Sequence, residues 1–382
     1  MPIWQDINPG LFYFFSKLII ETTNKFELII IFNIVLQFFG VLLFYKNIKK
    51  LISKDVALIS TFLIIITPFF IFYSGTIHET NLSFFFLNLF IYFFLKFKNN
   101  LTLIQTFFLI LLIIFACSNY WVNFVFIQIF LFYYYIYEQR LNIKFLPLAL
   151  SPLILFVLFL FILTILHSSP DIFIEKMLGR TLDLRMGTNF GDLDKVLNLN
   201  NIILYPAYLD HRIRTMLNFG LVELLILLVF FKLNKIEIKK KRILLVLMIC
   251  SLTWFIIFPQ HTIIHRFSGK YAYFGCIVLF STLLISFFSN YKKINNVYFK
   301  AILILVIISF LYNFTNKSYL FVKNVYLSNK LVNTEINYIC KRAIKKDLKS
   351  SEIIENLKNS KLNNNFNFDY YRLLKTEKSC KG

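Results

Sequence analysis

Residues 26–50 read FELIIIFNIVLQFFGVLLFYKNIKK. The stretch from Phe26 to Tyr45 is apolar almost throughout, with Glu27 its one charge, and Lys46, Lys49 and Lys50 close it. A helix crossing the hydrocarbon core of a bilayer needs about 20 such residues, within a range of about 17–25. In lipid the backbone must satisfy its own N–H and C=O groups, which a continuous apolar run does only as a helix. The apolar/polar alternation of a membrane β-strand is absent.

On either side of this stretch the pattern recurs. Apolar runs bounded by charges or turn residues cover Val56–Tyr73, Leu82–Leu95, Leu101–Phe115, Trp121–Tyr137, Phe145–Ile165, Phe219–Phe231, Ile243–Phe258, Tyr271–Phe288 and Ala301–Phe314. Several are short, so each is expected to extend into its flanks or to lie partly in the interface. Pro9–Ile20 is shorter still and carries Lys17, and it reads as an amphipathic helix in the outer interface. The fold class expected is an all-α polytopic membrane protein with about ten transmembrane helices and an N-terminal interfacial helix. Its segments are an interfacial 1–25, helices one to six over 26–165, a long outer loop 166–218, helices seven to ten over 219–314, and a basic tail 315–382.

Composition agrees. Of the 382 residues 58% are hydrophobic and only 16% are charged, and 48 are Phe. Soluble domains sit near 45–50% apolar and about 25% charged. An ordinary soluble domain, a disordered chain and a disulfide-dense secreted module are thereby excluded. No internal repeat or secretory signal peptide is visible.

The net charge of +21 points to nucleic acid only if the cations share one soluble surface, and here they are distributed by loop. Connections 46–55, 96–100, 138–144, 232–242 and 289–300 together hold 17 Lys and Arg. Connections 74–80, 117–120, 166–218 and 259–270 hold 8 over a longer stretch. Cytoplasmic loops carry the excess of Lys and Arg, so the first set is expected inside, anchored by Lys239–Arg242, with no nucleic-acid partner. The tail holds 14 Lys and Arg, and parity with ten spans sets it outside. The expected compartment is a bacterial cytoplasmic (inner) membrane.

Titratable groups collect on the side expected to be outside. All five His are there (His78, His167, His211, His261 and His265), with most of the carboxylates. Acids are tolerated outside for electrostatic reasons alone. The remainder of the bias is a functional sign, because grouped titratable residues can do acid/base or metal chemistry. The sharpest cluster is Tyr73–Asn81, YSGTIHETN, a turn from which His78 and Glu79 enter the next helix. Ionisable groups at such a mouth are functional candidates by default; the alternative is a solvated turn. His261 and His265 share a helical face without a third ligand nearby, a weak metal pattern. Arg266 and Lys270 open the ninth span on the outer side, where cations can hold a lipid phosphate or snorkel to headgroups. Cys340 and Cys380 both fall in the tail and could pair in an oxidising compartment.

Asp6–Phe14, DINPGLFYF, resembles the H-P-P-L-Y-Y stretch of GT-C-type membrane glycosyltransferases, which include the protein O-mannosyltransferase and aminoarabinose transferase families. Residues 32–97 are similar to the next section of that family. They read as a helix, a basic turn ending in Lys54-Asp55-Val56-Ala57-Leu58, and a helix closing on Pro68–Ser74. His78-Glu79 stands where the family tends to have Pro-Asp, and Arg266–Phe274 loosely resembles its late Arg-Tyr motif, with Lys270-Tyr271 in place. The resemblance implies transfer of a sugar from a polyprenyl-phosphate donor to a glycan, lipid or protein acceptor at the outer face. It implies Asp6 and Glu79 as catalytic carboxylates, with His78, Arg266 and Lys270 holding substrate. A divalent metal is a possible cofactor, since phosphate charge developing on the leaving group needs cations. The family opens with a further spanning helix and a loop carrying its principal carboxylate. On this reading that helix is missing here: either the true start lies upstream of Met1, or the gene is decayed and the chain an inactive remnant, or Asp6 has inherited the role.

Two other classes remain open. A surface-polysaccharide polymerase or ligase also has about ten helices and a long outer loop, and Arg180 and Gly191 frame its R-x10-G spacing. A transporter or lipid flippase tends to show repeats and Gly/Pro-interrupted helices, against which stand 10 Gly and 8 Pro.

Overall fold

A computed structural model describes residues 11–23, 27–67, 70, 79–118, 120, 122–166, 236–257 and 273–290, with scattered positions between 297 and 323. The chain divides into two compact units, Met1–Ser318 and Tyr319–Gly382. All the elements below belong to the first, and no strand occurs among the described residues.

The helices are α1 (Leu11–Thr23), α2 (Glu27–Leu51), α3 (Lys54–Ile65), α4 (Glu79–Phe97), α5 (Leu103–Cys117), α6 (Val122–Tyr133), α7 (Leu146–Leu166), α8 (Ile238–Ile257) and α9 (Val278–Asn290). A π-helical turn, Tyr134–Glu138, continues α6, and a second, Tyr273–Ile277, leads into α9. Local signals set several ends. Ser53 caps α3, its Oγ accepting from Val56 N at 3.3 Å. Thr102 and Gln105 form a reciprocal capping box on α5. α3 stops before Pro68, as expected from the restriction proline places on the preceding residue.

Three helices, α2, α4 and α8, run further than the apolar stretches did. α2 continues from Tyr45 through Leu51 and carries Lys46, Lys49 and Lys50 in its last turns. Lysine is a good helix former, and cations favour the negative end of the helix dipole. By length and composition three described segments suit a bilayer crossing: Leu28–Leu51, Thr80–Phe97 and Ile143–Ile162. Leu103–Cys117, Val122–Glu138 and Phe274–Ser286 are shorter apolar helices. α8 has 20 residues but includes the four cations Lys239–Arg242. The expected span Phe219–Phe231 and most of the 166–218 loop and the tail lie outside the described residues, and Ala301–Phe314 is described only at scattered positions.

The helices pack as a bundle in which α2 and α4 run side by side in the same direction, Gly40 beside Phe84, Asn47 beside Asn88 and Lys50 beside Leu95. α2 lies against α3 and α4, α4 against α5, α6 against α7 and α8, and α9 against α3. Phe274, in the second π-turn, sits at the meeting point, with ring centroids 5.1 Å from Phe44 of α2, 6.3 Å from Phe84 of α4 and 5.1 Å from Phe126 of α6. Such a turn fits there because Gly275 has no side chain: a Cβ would stand 2.9 Å from Met248 Cα in α8. α1 buries Phe12 and Ser16 and packs with Ile29, Leu36 and Leu82.

The interior is apolar, but it also holds several amides, and the outer surface is apolar as well. Asn33, Asn47, Asn88 and Asn123 are fully buried, whereas Phe38, Phe62, Phe107 and Phe161 are about 60% or more exposed. Soluble proteins rarely expose contiguous apolar faces of this extent. Lipid-facing helices do, and they use buried amides to join one another.

Candidate functional site

Polar side chains gather at the two ends of the bundle and along a seam between them. Glu79 is the first residue of α4. Behind it Thr80, Asn81 and Ser83 are buried. The short link from α5 to α6 packs at the same end. Asn123 of α6 donates from Nδ2 to Ser83 Oγ at 2.8 Å and to the Ala116 carbonyl at 2.6 Å. That one amide thus joins α4, α5 and α6. Tyr120, in the link, is also buried, and its backbone N–H donates to Cys117 O at 3.1 Å. Asn123 Oδ1 is buried and accepts no hydrogen bond among the described residues.

The seam continues inward. Asn47 of α2 donates to Asn88 O at 2.9 Å and to Asn88 Oδ1 at 3.3 Å, while Asn88 Nδ2 donates to Phe84 O. Gln37 reaches Phe70 O at 3.2 Å. Gln128 of α6 occupies the break that Pro152 makes in α7. Pro152 has no N–H to give Leu148 O, and Ser151 Oγ donates to that carbonyl instead at 2.8 Å. One residue on, Gln128 Nε2 donates to Ala149 O at 2.8 Å and its Oε1 accepts from Leu153 N at 2.9 Å. The amide thus bonds backbone groups of α7 on both sides of Pro152.

The opposite end is cationic and rich in tyrosine. Glu138 meets Lys98 at 3.9 Å and Lys239 at 3.4 Å. Gln139 Nε2 donates to Lys98 O at 2.7 Å. Three connections that sequence alone groups on one side, 96–100, 138–144 and 232–242, therefore do converge. The chain leaves the π-turn through Arg140 and Leu141, with φ of 47° and 62°. Left-handed backbone costs about 1–2 kcal/mol per residue for non-glycine side chains, and the Gln139 bond helps to hold it. Lys98 lies 4.5 Å from the Tyr134 ring centroid, Lys46 5.6 Å from Tyr92, and Arg242 5.8 Å from Tyr137, all within cation–π range. Burial pushes the Lys98 ammonium below its ordinary value near 10.5, and the Glu138 carboxylate opposes that shift.

Of the residues singled out from the sequence, Glu79 is placed in the fold, at the buried polar mouth of α4, its side chain not described. Asp6, His78, Arg266 and Lys270 lie outside the described residues, as do His261, His265, Cys340 and Cys380. Among the described residues no group of three His, Cys, Asp or Glu could hold a metal ion. Cys117, Cys250 and Cys276 are buried thiols. Sequence reading overlooked the amides Gln37, Asn47, Asn88, Asn123 and Gln128. Their signal was present, since an amide within an apolar run is costly in lipid and turns to the interior. No protein-family model, no curated protein and no solved structure matches this chain.

Proposed function

We propose that the chain is an integral membrane protein of about ten spans, acting as a GT-C-like glycosyltransferase at the end of the bundle where α4 begins. The observation that supports this most is the position of Glu79, at the head of a helix whose next turn buries Thr80, Asn81 and Ser83 beside Asn123. An ionisable residue at such a mouth is a functional candidate by default, and the uncharged polar groups behind it hold the helices that frame it. The resemblance over residues 6–97 supplies the chemistry.

In the proposed reaction an acceptor hydroxyl oxygen bonds to the anomeric carbon of the donor sugar. The bond from that carbon to the phosphate oxygen breaks, and polyprenyl phosphate leaves with the electron pair. The hydroxyl proton passes to the carboxylate of Asp6 or Glu79, acting as general base. Arg266 and Lys270 hold the phosphate, on which negative charge develops, and His78 contributes to substrate binding. The basic end faces the cytoplasm, so transfer takes place at the outer face.

The test is sugar release from a polyprenyl-phosphate-linked donor by full-length protein in proteoliposomes, with a hydroxyl acceptor outside. Wild type is expected to liberate polyprenyl phosphate, and Glu79→Gln to slow this by about 10²-fold or more, the range general-base removal produces. Scrambling of the donor without cleavage would identify a flippase instead. Unaltered turnover in Glu79→Gln refutes the assignment of that carboxylate.

A further inference from the structure

The cations of the basic end fall into two sets. Lys98 and Lys239 meet Glu138, and Lys240 meets Glu237 at 3.1 Å. Lys46, Lys49 and Lys96, on neighbouring helices α2 and α4, form no ion pair among the described residues, and all three are exposed. Lys46 lies over Tyr92 and Lys96 over Phe97, with distances of 5.6 and 5.8 Å to the ring centroids. Tyr92 and Lys96 are one turn apart, so they share a face of α4. Lys50 is engaged elsewhere, its Nζ donating to Leu95 O across the same helix pair.

These lysines terminate an apolar stripe. On α2 the exposed side chains Ile31, Val35, Phe38 and Leu42 follow one another at helical spacing, and the next positions in that row are Lys46 and Lys49. The apolar part of the row is as long as much of an acyl chain: from Ile31 to Leu42 the helix rises about 17 Å at about 1.5 Å per residue. Apolar surface ending in unpaired ammonium groups, with a tyrosine beside them, has the layout of a diacyl lipid with an anionic head. Interfacial tyrosine marks headgroup level, and basic pockets between spanning helices take anionic headgroups.

We propose that the α2/α4 face binds an anionic phospholipid of the surrounding leaflet. Its phosphate lies among Lys46, Lys49 and Lys96, and an acyl chain lies along Ile31–Leu42. This rests on the chain being a membrane protein and is independent of any glycosyl transfer. The occupant is a phospholipid because the lysines sit at the end of a lipid-facing stripe, where the bilayer itself presents a phosphate.

The experiment is native mass spectrometry of the full chain in micelles doped with equal amounts of phosphatidylglycerol and phosphatidylcholine. Wild type is expected to retain phosphatidylglycerol preferentially. Each lysine removed should weaken that preference about fivefold, equivalent to about 1 kcal/mol per basic residue at an anionic surface. Lys46→Gln, Lys49→Gln and Lys96→Gln together should abolish it. Lys49→Gln alone, at an exposed position without a protein partner, gives the single step should the triple variant fold poorly. The pair Lys240→Gln and Lys241→Gln should leave the preference intact. Equal retention of both lipids by wild type, or loss of preference in that pair as large as in the triple variant, overturns the proposal. Recovery of wild type in the soluble fraction without detergent would instead refute the membrane reading on which it stands.

Discussion

Replacing Gln128 by leucine should destabilise the bundle through a helix that Gln128 does not belong to. Pro152 prevents α7 from closing its own ladder, and the Gln128 amide satisfies both Ala149 O and Leu153 N. Leucine is apolar and one bond shorter, with no polar atoms, so both backbone groups lose their partner in apolar surroundings. A buried group left unsatisfied costs about 1–3 kcal/mol, whereas polar contacts between membrane helices average about 0.6 and reach about 1.7 kcal/mol. For two groups the expected loss is about 2–3 kcal/mol. The informative comparison is with Pro152→Ala, which restores an N–H facing Leu148 O and removes the ring that crowds that turn, so that α7 can close its own ladder. In that background Gln128→Leu should cost less than about 1 kcal/mol, giving a coupling of at least about 1 kcal/mol in the double-mutant cycle. Unfolding of the four proteins in a mild detergent titrated with a denaturing one, followed by circular dichroism, measures this. If Gln128→Leu costs the same in both backgrounds, the amide is not compensating for the break at Pro152 and the reasoning fails.

Gly275→Ala should be worse than Gly40→Ala. The added methyl meets the α8 backbone at Met248 Cα, 2.9 Å away, at the first site, but a movable ring, Phe84 Cδ1 at 2.8 Å, at the second. Overpacking of about 1–3 kcal/mol is expected for Gly275, with the Gly40 variant nearer the lower limit, measured by thermal unfolding. Asn123→Ala should cost about 1–2 kcal/mol, because Ser83 Oγ and Ala116 O lose one shared donor. For Lys98 the sign runs toward alkali. Its folded-state value is lowered, so below that value the fold carries the burden of a half-buried charge, and stability rises as pH climbs through it toward the ordinary value near 10.5. Lys98→Met should flatten that alkaline rise in melting temperature, and Glu138→Gln should steepen it by removing the opposing carboxylate.

Much of the architecture was legible in the chain itself. The apolar stretch Phe26–Tyr45 became the centre of α2, and Trp121–Tyr137 and Phe145–Ile165 became α6 with its π-turn and α7. Pro9–Ile20 overlaps α1, whose burial of Phe12 against Ile29 and Leu82 was not foreseen. Boundaries were less legible, because a helix ends where its caps and packing stop it and not where hydropathy falls. Lys46–Lys50 and Lys239–Arg242 are charged yet helical. The candidate site was legible at one residue type only. Glu79 stood out because a carboxylate at an apolar boundary is conspicuous, whereas Asn88 and Asn123 resemble ordinary tolerated amides until their partners are known.

Sequence alone determined that this protein is helical, that its helices are apolar enough for several to suit a bilayer, and that its cations gather in alternate connections. Those properties depend on local composition and on the one-dimensional order of charges. Only the tertiary structure decided that Gln128 repairs the break at Pro152, that Asn123 ties three helices together, that Phe274 fills the centre, and that Glu138 collects Lys98 and Lys239. Each of these joins residues separated by at least two dozen positions or brought together from different helices. Which face of one helix meets which face of another is set by the shape of all of them packed at once, and no period along the chain encodes it.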